Sequence, residues 1–140
     1  MSDAAETRAR LKARSDAIEE AYEFFLAYAS QGLPTDENTS HPIRDHLRKF
    51  DQALNEIGAF FLESARRLGV ADLTSYRKFV EVIDRDARDA QAALQLVLAQ
   101  PAIGSQTIDN LNASIHIRAL LTDLFLIDEI LRSLAPPVSL

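Results

Sequence analysis

Apolar residues recur at alternating steps of four and three between residues 43 and 68, and this periodicity constrains the fold more than any other feature. Only Ser64 interrupts the series. Such steps bring one side chain to the same face of an α-helix at every turn, so the pattern predicts a long helix packed lengthwise against other helices. The series consists of Ile43, Leu47, Phe50, Leu54, Ile57, Phe61 and Leu68.

Three other segments show the same helical periodicity, and Gly32, Gly69 and Pro101 mark borders between segments. Helices are predicted at about residues 3–30, 42–68, 73–99 and 106–134. Four helices of similar length with fairly short connections favour antiparallel neighbours. The sequence therefore predicts an all-α protein, an antiparallel (up-down-up-down) four-helix bundle with long helices, in a single domain over residues 1–140.

The net charge of −6 disfavours binding to nucleic acid, because phosphates would be repelled. The chain has no Cys, which excludes disulfides, thiolate nucleophiles and Cys-ligated metals. Arginines outnumber lysines twelve to three, which is typical of a protein from a GC-rich bacterial genome.

The polar, charged N-terminus does not look like a signal peptide. Charged residues and His116 interrupt the most apolar run, residues 115–131, so it falls short of the roughly 20 apolar residues of a membrane span. We expect a cytoplasmic protein that contacts neither membrane nor nucleic acid.

The fourth predicted helix carries more apolar side chains than one core-facing stripe needs. The first two helices show a milder excess. Uncovered apolar surface of this kind predicts a second interface, most simply a homodimer or another protein partner. The interface candidates are Phe24, Phe60, Ile117, Leu121, Phe125 and Ile130.

Residues with metal-site or catalytic spacing are lacking. No Glu-x-x-His or His-x-x-x-His pair occurs, so di-iron and helix-borne zinc sites are not predicted. No nucleophile motif or glycine-rich phosphate loop occurs either. We accordingly predict no catalytic, cofactor-binding or metal-binding residues and no cofactor.

Three polar residues interrupt the apolar pattern of the fourth helix and are candidates for burial: His116, Arg118 and Asp123. A buried Asp123 would need a partner, because an unpaired interior charge is very unfavourable. Arg118 or Arg132 could supply it.

Carboxylates cluster on the first and third helices, where cations at three- or four-residue spacing predict solvated, salt-bridged faces. The clusters are Asp16, Glu19, Glu20 and Glu23, and Glu81, Asp84, Asp86 and Asp89. Gly58 falls inside the second predicted helix, where it would permit a close helix approach or mark a slight bend.

The leading functional hypothesis is a non-catalytic, scaffold-type bundle acting through protein–protein contact. The alternative is a bundle that binds or senses a small apolar ligand in an aromatic pocket. An enzyme using Asp123 and His116 as an acid–base pair is a third possibility. The aromatic pocket would be lined by Phe24, Tyr28, Phe60, Phe61 and Phe125.

Overall fold

The computed structural model describes residues 3–32 and 42–134, and within these ranges all regular structure is helical. The connection between the first two predicted helices lies, except for residues 31 and 32, outside the described residues. Six helices are present in the described ranges, and the prediction of an all-α protein is confirmed. They are α1 (Asp3–Ser30), α2 (Pro42–Ala53), α3 (Ile57–Arg67), α4 (Thr74–Leu98), α5 (Ser105–Ala113) and α6 (Ile115–Arg132).

The prediction of four helices is wrong, because two of the predicted helices are each divided in two. The helix expected at residues 42–68 breaks at the turn 54–56, where Glu56 takes a left-handed backbone conformation with φ of 57°. Leu54 and Ile57 on either side of Glu56 are both buried. The apolar spacing therefore continues across the break, which is why periodicity alone predicted one helix.

The second division separates α5 from α6 at Ser114, whose ψ of 132° is incompatible with a helix. The Ser114 hydroxyl oxygen accepts a hydrogen bond from the backbone N–H of His116 at 3.3 Å. Serine is a favoured N-cap because its short side chain can satisfy such an unpaired helix donor. Ser114 thus caps α6 at its start.

Gly58 lies in the first turn of α3 rather than inside a continuous helix, which corrects its predicted position. Its backbone N–H donates to Oδ1 of Asp84 on α4 at 3.0 Å. A β-carbon at residue 58 would overlap the Asp84 carboxylate. The glycine therefore lets an acidic side chain from another helix cap α3, where the helix dipole favours negative charge.

The helices enclose a core to which all six contribute. Helix α1 packs against α2 and α5, while α4 packs against α3 and α6. Each fully buried large apolar side chain stabilises the fold by roughly 1.5–3 kcal/mol relative to exposure. Fully buried examples are Leu11, Phe25, Phe50, Ile57, Ile83, Leu94, Ile108 and Leu120.

Buried hydrogen bonds attach helix ends to the segments beside them. The Tyr28 hydroxyl donates to the carbonyl oxygen of Ile103 at 2.7 Å, and the Ser105 hydroxyl donates to the carbonyl oxygen of Tyr28 at 2.7 Å. These bonds hold the end of α1 against the start of α5.

Arg44, which is buried on α2, donates to the carbonyl oxygens of Leu98 and Gln100. Those carbonyls belong to the C-terminal end of α4, where a cation is favourable. Arg44 thus attaches the start of α2 to the end of α4.

Candidate functional site

The surplus apolar residues of α6 divide into a buried and an exposed group. Ile117 and Leu121 belong to the chain's own core. Leu126, Ile130 and Phe125 are 52%, 43% and 48% exposed. Of the candidate interface residues on this helix, the structure therefore leaves only Phe125 and Ile130 at the surface. Leu126 directly follows Phe125 and lies one helical turn before Ile130.

A groove of about 330 Å³ lies between the start of α4 and the second half of α6. We call it the α4–α6 groove. Its walls are almost entirely apolar or aromatic, with one serine at the edge. It is lined by Ser75, Tyr76, Phe79, Leu126, Ile127 and Ile130.

Two carboxyl groups face each other across α4 and α6. Oδ2 of Asp123 is fully buried, and within the described residues the Asp123 side chain makes no ion pair. The polar group against it is the carboxyl of Asp86 on α4. Burial, together with hydrogen bonding and charge repulsion from Asp86, raises the pKa of Asp123 from its ordinary 3.8 to about 7. The arrangement allows the two groups to share one proton.

The basic partners predicted for Asp123 are elsewhere, so that prediction is wrong. Arg118 is exposed, and Arg132 forms an ion pair with Asp128 at 2.7 Å. His116 is exposed as well. Of the three predicted buried polar residues, Asp123 alone is partly buried; the first turns of α6 present His116 and Arg118 to solvent.

His116 and Asp123 do not form an acid–base site. They are seven residues apart on one helix, which separates them by about 10 Å along its axis. General acid–base catalysis requires both groups within hydrogen-bonding reach of one substrate. This geometry removes the observation on which the enzyme hypothesis depended.

Of the five residues of the predicted aromatic pocket, Phe60 and Phe61 are in ring contact, with centroids 5.2 Å apart, and the other three have different surroundings. Tyr28 and Phe61 are buried in the core, and Phe125 is exposed on α6. The Phe24 ring stacks on the His46 ring, with centroids 3.8 Å apart. Phe60 lies under the guanidinium of Arg14 on α1.

The sequence predicts a solvated face for Asp84 and Asp86 and does not indicate the contacts that they make. Both are half-buried: Asp84 caps α3 and Asp86 faces Asp123. The expected ion pairs between the acids of α4 and its own cations are absent from the described residues. A signal was present, because both aspartates flank Ile83 and Ala87 of the apolar series.

Within the part of the chain that the structure describes, no three His, Asp or Glu side chains converge as a metal site. No helix in those ranges is long and apolar enough to span a membrane. No protein-family profile, curated protein or solved structure matches the chain.

Proposed function

We propose that the chain is a non-catalytic, scaffold-type protein–protein interaction bundle that forms a homodimer through the α4–α6 groove and the adjoining face of α6. One observation carries the proposal. Leu126 and Ile130, one helical turn apart, are about half exposed at the edge of an apolar groove. Contiguous exposed apolar surface marks protein interaction sites far more often than scattered single residues do.

The size of this face suits a second copy of the chain. Helix α6 has 18 residues and is therefore about 27 Å long, and the start of α4 widens the face beside it. Stable interfaces bury roughly 800 Å² on each partner. A twofold axis through the face would cover Leu126 and Ile130 on both copies. Each Å² of apolar area buried in this way stabilises the dimer by roughly 25 cal/mol.

The six helices act in this proposal as four antiparallel rods, with α2 and α3 forming one broken rod and α5 and α6 another. The pattern of contacts supports this, because α1 contacts members of both broken rods and so does α4. The first break keeps the apolar residues on both sides of it in the core, as the buried pair Leu54 and Ile57 shows, whereas Ile115 directly after the second break is exposed. The α4–α6 groove and the exposed residues Leu126 and Ile130 of α6 lie on the outside of this arrangement.

Size-exclusion chromatography with light scattering tests the proposal at concentrations from about 1 to 100 μM. We expect a dimer mass for the wild-type chain and a monomer mass for Ile130→Glu, because a carboxylate at the centre of the interface would have to be desolvated. Leu96→Glu is the matched control. Leu96 is 66% exposed on α4 and does not line the groove.

The control should keep the dimer mass, and both variants should keep the helical circular dichroism of the wild type. A wild-type chain that stays monomeric over the whole concentration range would refute the dimer. Equal dissociation by Leu96→Glu would show that this face is not the interface.

A small apolar ligand is the second candidate, and the dimensions of the groove favour it. Its volume of about 330 Å³ lies at the lower end of the range typical of ligand pockets. Native mass spectrometry of the purified chain distinguishes the two functions. A monomer carrying a bound compound that Ile130→Glu loses would favour the ligand, and an unliganded dimer would favour the interface.

A further inference from the structure

A second groove, of about 720 Å³, lies between α1 on one side and α2 and α3 on the other. We call it the α1–α2 groove. Its lining residues include Arg10, Arg14 and Lys49 but no acidic side chain. The groove is therefore locally positive, although the net charge of the whole chain is −6.

The cations of this groove are largely unneutralised. Arg10 makes an exposed contact of 3.4 Å with Glu6, a kind of pair that contributes little. Within residues 3–32 and 42–134, neither Arg14 nor Lys49 has a carboxylate within 4.0 Å. Within these ranges, the groove therefore offers positive charge that carboxylates of the chain leave largely unpaired.

Arg14 is held in a defined position on the groove wall. Its Nη1 donates to the carbonyl oxygen of Ala53 at 3.3 Å, and its guanidinium carbon lies 4.2 Å from the centre of the Phe60 ring. Burial lowers the pKa of Arg14, but an arginine remains charged at neutral pH. The result is a preorganised cation that loses little side-chain entropy when an anion binds.

The groove is a trough rather than a closed chamber, and small side chains contribute to its surface. Ala13 and Ala17 lie on the α1 side and Ala53 on the α2 side. From Arg10 to Ala17 the trough follows α1 for about 10 Å, or two helical turns. Small residues let another helix approach closely, so the shape suits a rod-like occupant better than a compact molecule.

A smaller depression continues along the same two helices. It is lined by Ala17, Glu20, Ala21, His46 and Lys49. Burial and the nearby Lys49 lower the pKa of His46, although Glu20 and Asp45 oppose this. The positive charge at this end therefore comes from Lys49, and Glu20 marks where the positive stretch ends.

We infer that the α1–α2 groove binds an acidic helical segment of a partner protein. Carboxylates on one flank of that segment pair with Arg10 and Arg14, and those on the other flank pair with Lys49. Small or apolar residues between the flanks pack on the alanines. This goes beyond the proposed homodimer because it uses other helices, and a dimer would carry two such grooves.

Fluorescence anisotropy with a labelled, alanine-based helical peptide carrying glutamates on two flanks tests the inference. We expect saturable binding that weakens as salt rises, and at least about tenfold weaker binding when every glutamate of the peptide is replaced by glutamine. The double variant Arg10→Glu/Lys49→Glu should likewise bind the acidic peptide at least about tenfold more weakly.

Arg77→Glu/Arg118→Glu is the matched control, because it changes the net charge equally at exposed positions on α4 and α6. It should alter the affinity by no more than about twofold. Ala17→Trp tests the shape without changing charge. Ala17 is exposed, so the bulky ring should fill the trough and abolish binding while the fold remains intact.

Three results would overturn the inference: no binding of the acidic peptide, equal binding of the glutamine peptide, or equal weakening by the control variant. A fall in the chain's own mass on Arg10→Glu/Lys49→Glu would also overturn it, since a second copy would then be the occupant. Ile130→Glu should bind the peptide normally. Failure of this site is thus distinguishable from failure of the α4–α6 interface.

Discussion

At the scale of single residues, three aspartates show how position changes the chemistry of one side chain. Asp84 accepts a hydrogen bond from the backbone N–H of Gly58 and caps α3, whereas Asp89 is exposed to solvent. Asp123 instead has one buried oxygen and the Asp86 carboxyl beside it. The same carboxyl group is therefore stabilised, solvated or forced towards its neutral form according to what surrounds it.

The raised pKa of Asp123 predicts that stability falls as pH rises. The folded chain retains a proton that the unfolded chain releases near pH 4, so the stabilisation is present below about pH 4 and is lost as pH rises through about 7. Asp123→Asn removes the charge, so it should exceed the wild type in stability at pH 8 by about 1 kcal/mol after allowing for solvent screening.

Urea unfolding at pH 5 and pH 8 measures this difference, which should be larger at pH 8. Asp89→Asn, at an exposed position of α4, should show no such dependence. If Asp123→Asn were less stable than the wild type at pH 8, the interpretation that Asp86 and Asp123 share one proton would be contradicted.

At the scale of elements, the break between α2 and α3 depends on an interaction with a third helix. The turn 54–56 with the left-handed Glu56 separates the two helices, and Asp84 of α4 caps the helix that follows. A left-handed backbone costs a non-glycine residue roughly 1–2 kcal/mol. The cap and the burial of Leu54 and Ile57 offset that cost.

Gly58→Ala should destabilise the chain by about 1 kcal/mol, because the new methyl group displaces the Asp84 carboxylate and the cap is lost. In an Asp84→Ala background the same substitution should instead be neutral or stabilising, since alanine is a better helix former than glycine. Chemical denaturation of the four proteins in this double-mutant cycle should give a coupling of about 1 kcal/mol or more. Additive effects would show that Asp84 does not cap α3.

At the scale of the whole molecule, the two grooves differ in polarity and lie between different helices. The α4–α6 groove is apolar, and the α1–α2 groove is lined by three cations. An apolar face is best covered permanently, whereas a charged groove can exchange partners in water. A homodimer that displays two basic grooves would act as a bivalent scaffold, in keeping with the proposed function.

Dimerisation predicts that the melting temperature of the wild-type chain rises with protein concentration. A hundredfold increase in protein concentration favours the folded dimer by about 2.7 kcal/mol. This corresponds to a rise of several degrees in the melting temperature for a chain of this size. Differential scanning fluorimetry or calorimetry between about 1 and 100 μM measures the rise. Ile130→Glu should melt at the same temperature throughout, and a concentration-independent wild type would argue against the dimer.

Periodicity predicted where helices lie and which side chains enter the core. The apolar series from Ile43 to Phe61 is buried in the structure, although Leu68 at its end is only half-buried. It did not predict the break at Glu56, because a tight turn that keeps Leu54 and Ile57 in the core leaves the apolar spacing unchanged. The break at Ser114, which leaves Ile115 exposed, was not predicted either. Nor did periodicity predict that Ile117 and Leu121 are covered while Leu126 and Ile130 are exposed.

The sequence by itself determined that the chain is helical, that it has a continuous apolar core and that it lacks Cys chemistry, since these follow from local spacing and composition. Only the tertiary structure decided that Asp86 meets Asp123, that Asp84 caps α3 and that Arg10, Arg14 and Lys49 share one groove. Each of these arrangements brings together residues from different helices. Helical periodicity specifies the face of a helix on which a residue lies, whereas the packing of helices specifies what that face meets.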